Sequence, residues 1–231
     1  MNKKYDFCVI ITTYNRPKML LELLTKIENE KKHFEILVLI FDDCSTEKYE
    51  LPRTNIKKIT MSSNMGKKKF WKIIDTSFKT IKNIKSKYFI YLQDDVSIIE
   101  NFFSNLVNQY EEINDDKKIT LSFLTDQRIT KPNWTKINPI NIGNVVKTQW
   151  VELHFICEKK FFEHLDYKLE PIPLSRWENN PNLSSGVGCQ LSNRLNKKGL
   201  GMYHTKKTLV THGDHESYMN KHERKINKLI S

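Results

Sequence analysis

Two adjacent aspartates, Asp94 and Asp95, follow a run of apolar residues at 88–92, with only Gln93 between them and the run. The run is rich in aromatic and β-branched side chains, which is typical of a strand buried on both faces. Because two adjacent carboxylates are costly to bury, we expect them at the carboxyl end of this strand, open to a cleft. Such a pair suits a divalent cation that binds phosphate oxygens on its other side. The alternative is that the aspartates cap a helix that starts near Val96.

Polar residues also follow two earlier apolar runs. Residues 7–13 form the first run and lead into Tyr14, and residues 34–41 form the second and lead into Asp42 and Asp43. If the three strands are parallel neighbours, their polar ends lie at one edge of the sheet, where ligands bind in open α/β proteins.

The elements between these runs favour a parallel sheet. Helical spacing of apolar residues after Pro17, and strand–helix alternation up to residue 100, predict an α/β fold with a doubly wound, mostly parallel sheet flanked by helices. Residues 125–143 and 170–185 are predicted to be irregular, and residues 218–231 to be a basic helix or tail. The pattern further predicts helices over 67–84, 102–110, 159–165 and 190–198, and strands over 56–61, 119–124, 149–157 and 208–211.

Bulk composition narrows the class of protein. The formal net charge of +11 over 231 residues favours an anionic partner, such as a nucleotide, a nucleic acid or an anionic membrane surface. The sequence lacks a recognisable nucleic-acid motif, a membrane-length apolar run and a secretory signal, so we expect a cytoplasmic protein. Its four cysteines contain no CxxC pair, which argues against a zinc site or a disulfide framework.

Four motifs in order resemble the nucleotide-binding half of GT-A glycosyltransferases of the family 2 type. They are VIITTYNRP, FDDCST, NMG and YLQDDV, spread over the first hundred residues. Later, the helix that contains Leu191 and Arg194 and the segment VTHGDHES resemble this family more loosely. The resemblance implies one GT-A domain over 1–231, with a nucleotide-sugar-binding half at 1–100 and an acceptor-binding half at 101–217.

The resemblance also implies roles for individual residues. Thr12 and Tyr14 match positions that contact the nucleotide base. Asp42 or Asp43 matches the carboxylate that binds the edge of the base, and Asp94 matches the carboxylate near the ribose. Asp95 matches the ligand of a Mn²⁺ or Mg²⁺ ion. His212 matches a residue that contacts this metal directly or from a greater distance, and His215 is the alternative candidate for that role. Backbone N–H groups and cationic side chains at the start of the 67–84 helix suit phosphate. The predicted nucleotide-binding set is therefore Thr12, Tyr14, Arg16, Asp42, Asp43, Asn64, Gly66, Lys67 and Asp94.

Three features depart from the family pattern. Cys44 replaces a glycine, Gln93 stands where an acidic residue is common, and residues 185–188 contain no carboxylate where the family has a Glu-Asp pair. An inverting enzyme needs a base to accept the acceptor proton. We predict Glu178 for that role, beside a Trp177 able to pack against a sugar, with Glu170 and Glu152 as less favoured candidates.

The predicted function is metal-dependent transfer of a sugar from a nucleoside diphosphate donor, with UDP favoured, to a hydroxyl of a glycan or other acceptor, with inversion. One alternative is a virus-type DNA glycosyltransferase acting on hydroxymethylated bases, which the basic charge permits. Another is a GT-A-like module that binds nucleotide sugars without turnover.

Overall fold

Eleven strands and five α-helices are present in the part of the chain that the structure describes. That part is residues 4–30, 33–51, 55–124 and 140–212 of a computed structural model. The strands are β1 (Tyr5–Thr13), β2 (Ile36–Asp42), β3 (Ile56–Thr60), β4 (Ser86–Gln93), β5 (Val96–Ile98), β6 (Lys118–Ser122), β7 (Ile140–Ile142), β8 (Val145–Thr148), β9 (Phe155–Cys157), β10 (Gly201–Thr205) and β11 (Val210–His212). The helices are α1 (Pro17–Glu30), α2 (Gly66–Ile81), α3 (Phe102–Glu111), α4 (Lys159–His164) and α5 (Val187–Lys197).

Nine of these strands form one sheet, in the order β3-β2-β1-β4-β9-β6-β10-β8-β7. The strands β3, β2, β1 and β4 are parallel neighbours, as the apolar runs predict. Among the strands described, β8 and β9 run opposite to the other seven of the sheet. The predicted α/β class, with a mostly parallel sheet flanked by helices, is therefore confirmed. Because β1, β2 and β4 end in register, their polar termini meet at one edge.

Helices cover both faces of the sheet. Alternate side chains of β1 point to opposite faces, so Val9 and Ile11 pack with α1 and α3, whereas Cys8 and Ile10 pack with α2, α4 and α5. Because both faces of β2 are covered, all of its residues are buried, and all except the terminal Asp42 are apolar. The sheet spans both predicted halves of the chain, since β9 inserts between β4 and β6. No helix within the described ranges has the length and apolar character to cross a membrane.

Three sequence-based expectations need correction. Val96–Ile98 forms β5, which pairs with β11, so the interpretation of Asp94 and Asp95 as helix caps is wrong. The single strand predicted over 149–157 is instead β8 and β9, separated by a segment that packs on α5. Of the loop predicted over 125–143, residues 140–142 form the edge strand β7, and residues 125–139 lie outside the described residues. The predicted basic tail and His215 also lie outside them.

Candidate functional site

The two acidic residues after β4 share one cation. Asp94 and Asp95 follow the carboxyl end of β4, as expected, but they are almost fully buried, at 4% and 2% exposure, so the expectation that they are open to a cleft is wrong. The Arg16 Nη1 atom lies 3.1 Å from Asp94 Oδ1 and 3.1 Å from Asp95 Oδ2. Arg16 comes from the loop after β1, so the site joins two neighbouring strand ends. Its guanidinium offsets part of the cost of burying two like charges.

Asp94 fixes the end of β1. Its Oδ2 accepts hydrogen bonds from Thr13 Oγ1 at 2.7 Å and from the Tyr14 backbone N–H at 3.3 Å, and its own N–H donates to Thr12 O at 3.1 Å. Burial raises the pKa of Asp94 to about 6; Arg16 opposes this rise and the neighbouring Asp95 adds to it. Asp94 therefore positions the backbone from which the partly exposed Tyr14 projects.

A histidine from the far end of the chain reaches the acidic pair. Pairing of β11 with β5 sets His212 opposite Val96, and His212 Nδ1 lies 3.7 Å from Asp95 Oδ1. The ring of the buried His154, just before β9, lies 5.8 Å from the His212 ring and nearly perpendicular to it. Sequence reasoning missed His154, because it falls inside a segment predicted to be one strand.

Asp42 lies in a polar cluster at the end of β2. It accepts hydrogen bonds from the Ser45 N–H at 2.9 Å and from Tyr49 Oη at 3.3 Å, and Lys58 Nζ lies 2.7 Å from its Oδ2. Lys58 also lies 4.0 Å above the Tyr49 ring. Burial raises the pKa of Asp42, but the bonds from Lys58 and Ser45 outweigh it and hold that pKa below its ordinary value. Tyr49 and Lys58 were not predicted, since neither lies in a recognisable motif.

Asp43 caps the start of α2. Its carboxylate accepts the backbone N–H groups of Met65 at 2.6 Å and Gly66 at 3.0 Å, and the side-chain amide of Asn64 at 3.2 Å. Burial raises the pKa of Asp43 above its ordinary value against the effect of these N–H donors. Lys67 Nζ donates to the Pro181 carbonyl at 2.6 Å. The groups predicted to donate hydrogen bonds to a phosphate therefore have partners within the protein, and their contacts with a nucleotide stay predictions.

The loops after β1 and β2 are tied together. The Asn15 N–H donates to Ser45 Oγ at 2.9 Å, and Asn15 Oδ1 accepts the Thr46 N–H at 2.8 Å. Cys44 adopts a left-handed backbone with φ of 61°. Non-glycine residues seldom adopt this conformation. The geometry therefore accounts for the glycine that the resembled motif has at this position.

The predicted base, Glu178, is exposed and follows a 3₁₀ turn at Leu174–Trp177. The Trp177 ring packs in the core beneath α5, with 3% exposure, and its Nε1 donates to Leu183 O at 3.1 Å. The expectation that Trp177 packs against a sugar is therefore wrong. The role of Glu178 stays a prediction.

The described side chains at this edge form no complete protein cage for a divalent ion. Within the described ranges, no three His, Cys, Asp or Glu side chains are grouped so as to hold a metal ion. Mg²⁺ is commonly held by one or two carboxylates together with substrate phosphates, rather than by a complete protein cage. Asp94 and Asp95, which converge on one cationic group at the sheet edge, fit that mode of binding.

The chain belongs to glycosyl transferase family 2. The family model with that description matches residues 8–162, which include most of β1, all of β2–β4, the acidic pair, β9 and the start of α4. No curated protein sequence matches the chain significantly.

Solved structures share the fold. Residues 1–349 of TarS from S. aureus superpose with a TM-score of 0.56 at 17% identity, covering 88% of this chain and 59% of that one. A second TarS structure, in complex with UDP, gives a TM-score of 0.55 at 16% identity, with the same coverage. The mannosyltransferase PcManGT from Pyrobaculum calidifontis, in complex with GDP-Man and Mn²⁺, gives 0.57 at 13% identity, covering 90% and 56%. The present chain thus spans less than two thirds of these proteins.

Proposed function

We propose that this protein is a metal-dependent glycosyltransferase that moves a sugar from a nucleoside diphosphate donor to an acceptor hydroxyl. The observation that carries the proposal is the convergence of Arg16, Asp94, Asp95 and His212 at the carboxyl edge of the sheet. This edge is where open α/β sheets bind ligands. Family membership supports the same chemistry.

The metal would be held by Asp95, with His212 as a second contact. When bound, a Mn²⁺ or Mg²⁺ ion neutralises the charge that develops on the departing diphosphate. The chain's own part is to hold Asp95 in place, and the Arg16 contact at 3.1 Å and the β5–β11 pairing support that role. Asp95 is 2% exposed, so bulk water has little access to its carboxylate.

The nucleotide would lie over the ends of β1 and β2. Tyr14 offers a partly exposed ring for stacking on a base, and the Asp42–Lys58–Tyr49 cluster offers charged groups beside it. We favour UDP as the nucleotide. Of the solved structures named above, one is in complex with UDP and another with GDP-Man, so both nucleotide classes need to be tested.

The proposal is tested by nucleoside diphosphate release. Purified protein is incubated with panels of UDP-sugars and GDP-sugars, with Mn²⁺, with Mg²⁺ or with EDTA, and released UDP or GDP is measured by a coupled assay. Water acts as the acceptor, so no acceptor needs to be known. We expect release from at least one donor, dependent on the divalent ion. Binding of these donors without release under any metal condition would instead support a binding module.

The stereochemical outcome follows from the direction in which the acceptor oxygen attacks the anomeric carbon. Inversion requires an in-line attack by the acceptor oxygen and a carboxylate on its side of the sugar. Glu178 is the carboxylate that the sequence predicts for this role.

A further inference from the structure

We infer that Glu152, rather than Glu178, is the carboxylate that accepts the proton of the acceptor. The inference rests on the proposed glycosyl transfer and names a catalytic residue for it.

In the resembled family, an acidic pair precedes the helix that corresponds to α5. A Cβ atom on Gly188 would lie 2.9 Å from the Val151 carbonyl oxygen and 3.4 Å from Cζ2 of Trp150. Ser192 Oγ links the same two segments, since it accepts the Val151 N–H at 2.9 Å and donates to Gly188 O at 2.7 Å. The segment before β9 therefore occupies the space that a side chain at position 188 would need.

The segment before β9 contains the carboxylate of Glu152. Trp150 Nε1 donates to Glu152 Oε1 at 2.6 Å, and the Glu152 backbone N–H donates to Ser122 Oγ at 3.2 Å. His204 Nε2 lies 2.9 Å from Trp150 O, which fixes the backbone of Trp150 in turn. The bond from Trp150 orients the Glu152 carboxylate, and because Glu152 is only half-buried, part of it stays open to solvent. A positioned base requires both properties.

Glu152 lies at the edge of the sheet that contains the acidic pair. β9 runs opposite to β4, so its first residue, Phe155, pairs with Tyr91 near the end of β4. Glu152 lies on the approach to that end of β9, two residues before His154, whose ring is 5.8 Å from that of His212. His212 in turn lies 3.7 Å from Asp95. The carboxylate thus belongs to the same cluster of strand ends as the proposed metal ligand.

The chemical step balances with these groups. The acceptor O–H bond breaks and its proton passes to a Glu152 carboxylate oxygen. The acceptor oxygen forms a bond to the anomeric carbon, while the bond from that carbon to the diphosphate oxygen breaks. Its electron pair leaves with the nucleoside diphosphate. With water as the acceptor, the same step gives the free sugar.

The test compares two matched variants, Glu152→Gln and Glu178→Gln. A glutamine at 152 keeps an oxygen that accepts the Trp150 indole N–H, so the fold is preserved while the basic group is lost. We expect Glu152→Gln to release UDP or GDP from the active donor 10²–10⁴-fold more slowly, on the order given by a positioned base. Affinity for UDP and GDP in the presence of Mn²⁺, measured by calorimetry, should stay within about twofold of wild type. Glu178→Gln tests the residue that the sequence predicts. Glu163→Gln, at an exposed glutamate of α4, is the control and should match wild type in both measurements.

A further variant examines the orientation of the carboxylate. Trp150→Phe removes the indole donor but keeps an aromatic ring, and we expect kcat to fall about tenfold with nucleotide affinity unchanged.

Each other outcome overturns the inference. A full rate in Glu152→Gln excludes Glu152 as the base, and loss of nucleotide affinity in that variant makes its role structural. A large loss in Glu178→Gln with intact binding assigns the base to Glu178. If wild-type protein binds nucleotide but releases no UDP or GDP from any donor, the protein is not a catalyst and the inference fails. If wild-type protein does not bind UDP or GDP, the proposed function itself is refuted.

Discussion

Replacement of Asp43 by alanine should destabilise the protein through the start of α2. The Asp43 carboxylate is 6% exposed and accepts three donors, from Asn64, Met65 and Gly66, at 2.6–3.2 Å. These include the first backbone N–H groups of the helix, which have no partner within the helix itself. Alanine leaves the half-buried backbone N–H groups of Met65 and Gly66 without this acceptor, and the helix loses the negative charge at its N-terminus.

The magnitude follows from the number and kind of bonds. Loss of a helix cap costs roughly 0.5–2 kcal/mol, and a hydrogen bond to a charged group contributes about 1.5–3 kcal/mol, without simple additivity. We expect Asp43→Ala to lower the free energy of unfolding by about 3 kcal/mol. For a chain of this length, that corresponds to a fall in Tm of roughly 6–12 °C. Asp43→Asn keeps an acceptor oxygen and should cost about 1 kcal/mol.

Urea unfolding without ligand, followed by circular dichroism, measures this effect separately from any nucleotide contact of Asp43. Asp116→Ala is the control, because Asp116 is exposed and should change stability by less than about 0.5 kcal/mol. If Asp43→Ala is as stable as Asp116→Ala, the carboxylate does not hold the start of α2, and the helix-cap argument fails.

Three further predictions concern the nucleotide pocket, the strained loop and acid stability. Tyr14→Ala should weaken nucleotide binding by about 1–3 kcal/mol through loss of base stacking, measured by calorimetry. Cys44→Val should lower the free energy of unfolding by about 1–2 kcal/mol in urea, because a β-branched residue tolerates the left-handed backbone poorly. The bonds that Lys147 and Tyr203 donate hold the pKa of Asp115 at about 2. Asp115→Asn should therefore cost about 1 kcal/mol at pH 7, after discounting for solvent exposure. Since the folded-state pKa is lowered, this contribution is present above the unfolded-state pKa, near 3.8, and is lost as the pH falls towards 2.

Contrary results are equally specific. Unchanged nucleotide affinity in Tyr14→Ala removes the ring from the pocket, and an unchanged urea midpoint in Cys44→Val means that the loop relaxes without cost. A difference between wild type and Asp115→Asn that persists undiminished at pH 2 would show that its origin is not the charge of Asp115.

The sequence predicts the elements that are set by local pattern. The apolar runs in β1, β2 and β4 are long enough to identify buried strands, and each ends in polar residues that the parallel sheet brings to one edge. The acidic pair could therefore be placed at a ligand-binding edge before any coordinates were known. The motif VIITTYNRP assigns Arg16, three residues after the end of β1, to the predicted nucleotide-binding set, but its contacts with Asp94 and Asp95 are seen only in the structure.

Features that depend on distant pairing could not be predicted in this way. β5 and β11 are each three residues long and lie more than a hundred residues apart, so nothing local indicates that they bring His212 to Asp95. The segment between β8 and β9 resembles a strand because Val151 and Leu153 are apolar, but those residues pack on the α2–α4–α5 side of the sheet. Only the packed structure reveals that Trp150 fills the space beside Gly188 and orients Glu152.

The most direct test of the account is the coupling between Mn²⁺ and nucleotide at Asp95. Calorimetric titration of UDP and GDP is performed with and without Mn²⁺, on wild type and on Asp95→Asn, a substitution that preserves side-chain volume. Circular dichroism confirms that both proteins are folded. The account predicts that Mn²⁺ strengthens nucleotide binding to wild type and has no such effect on the variant. Equal strengthening by Mn²⁺ in both proteins would contradict it.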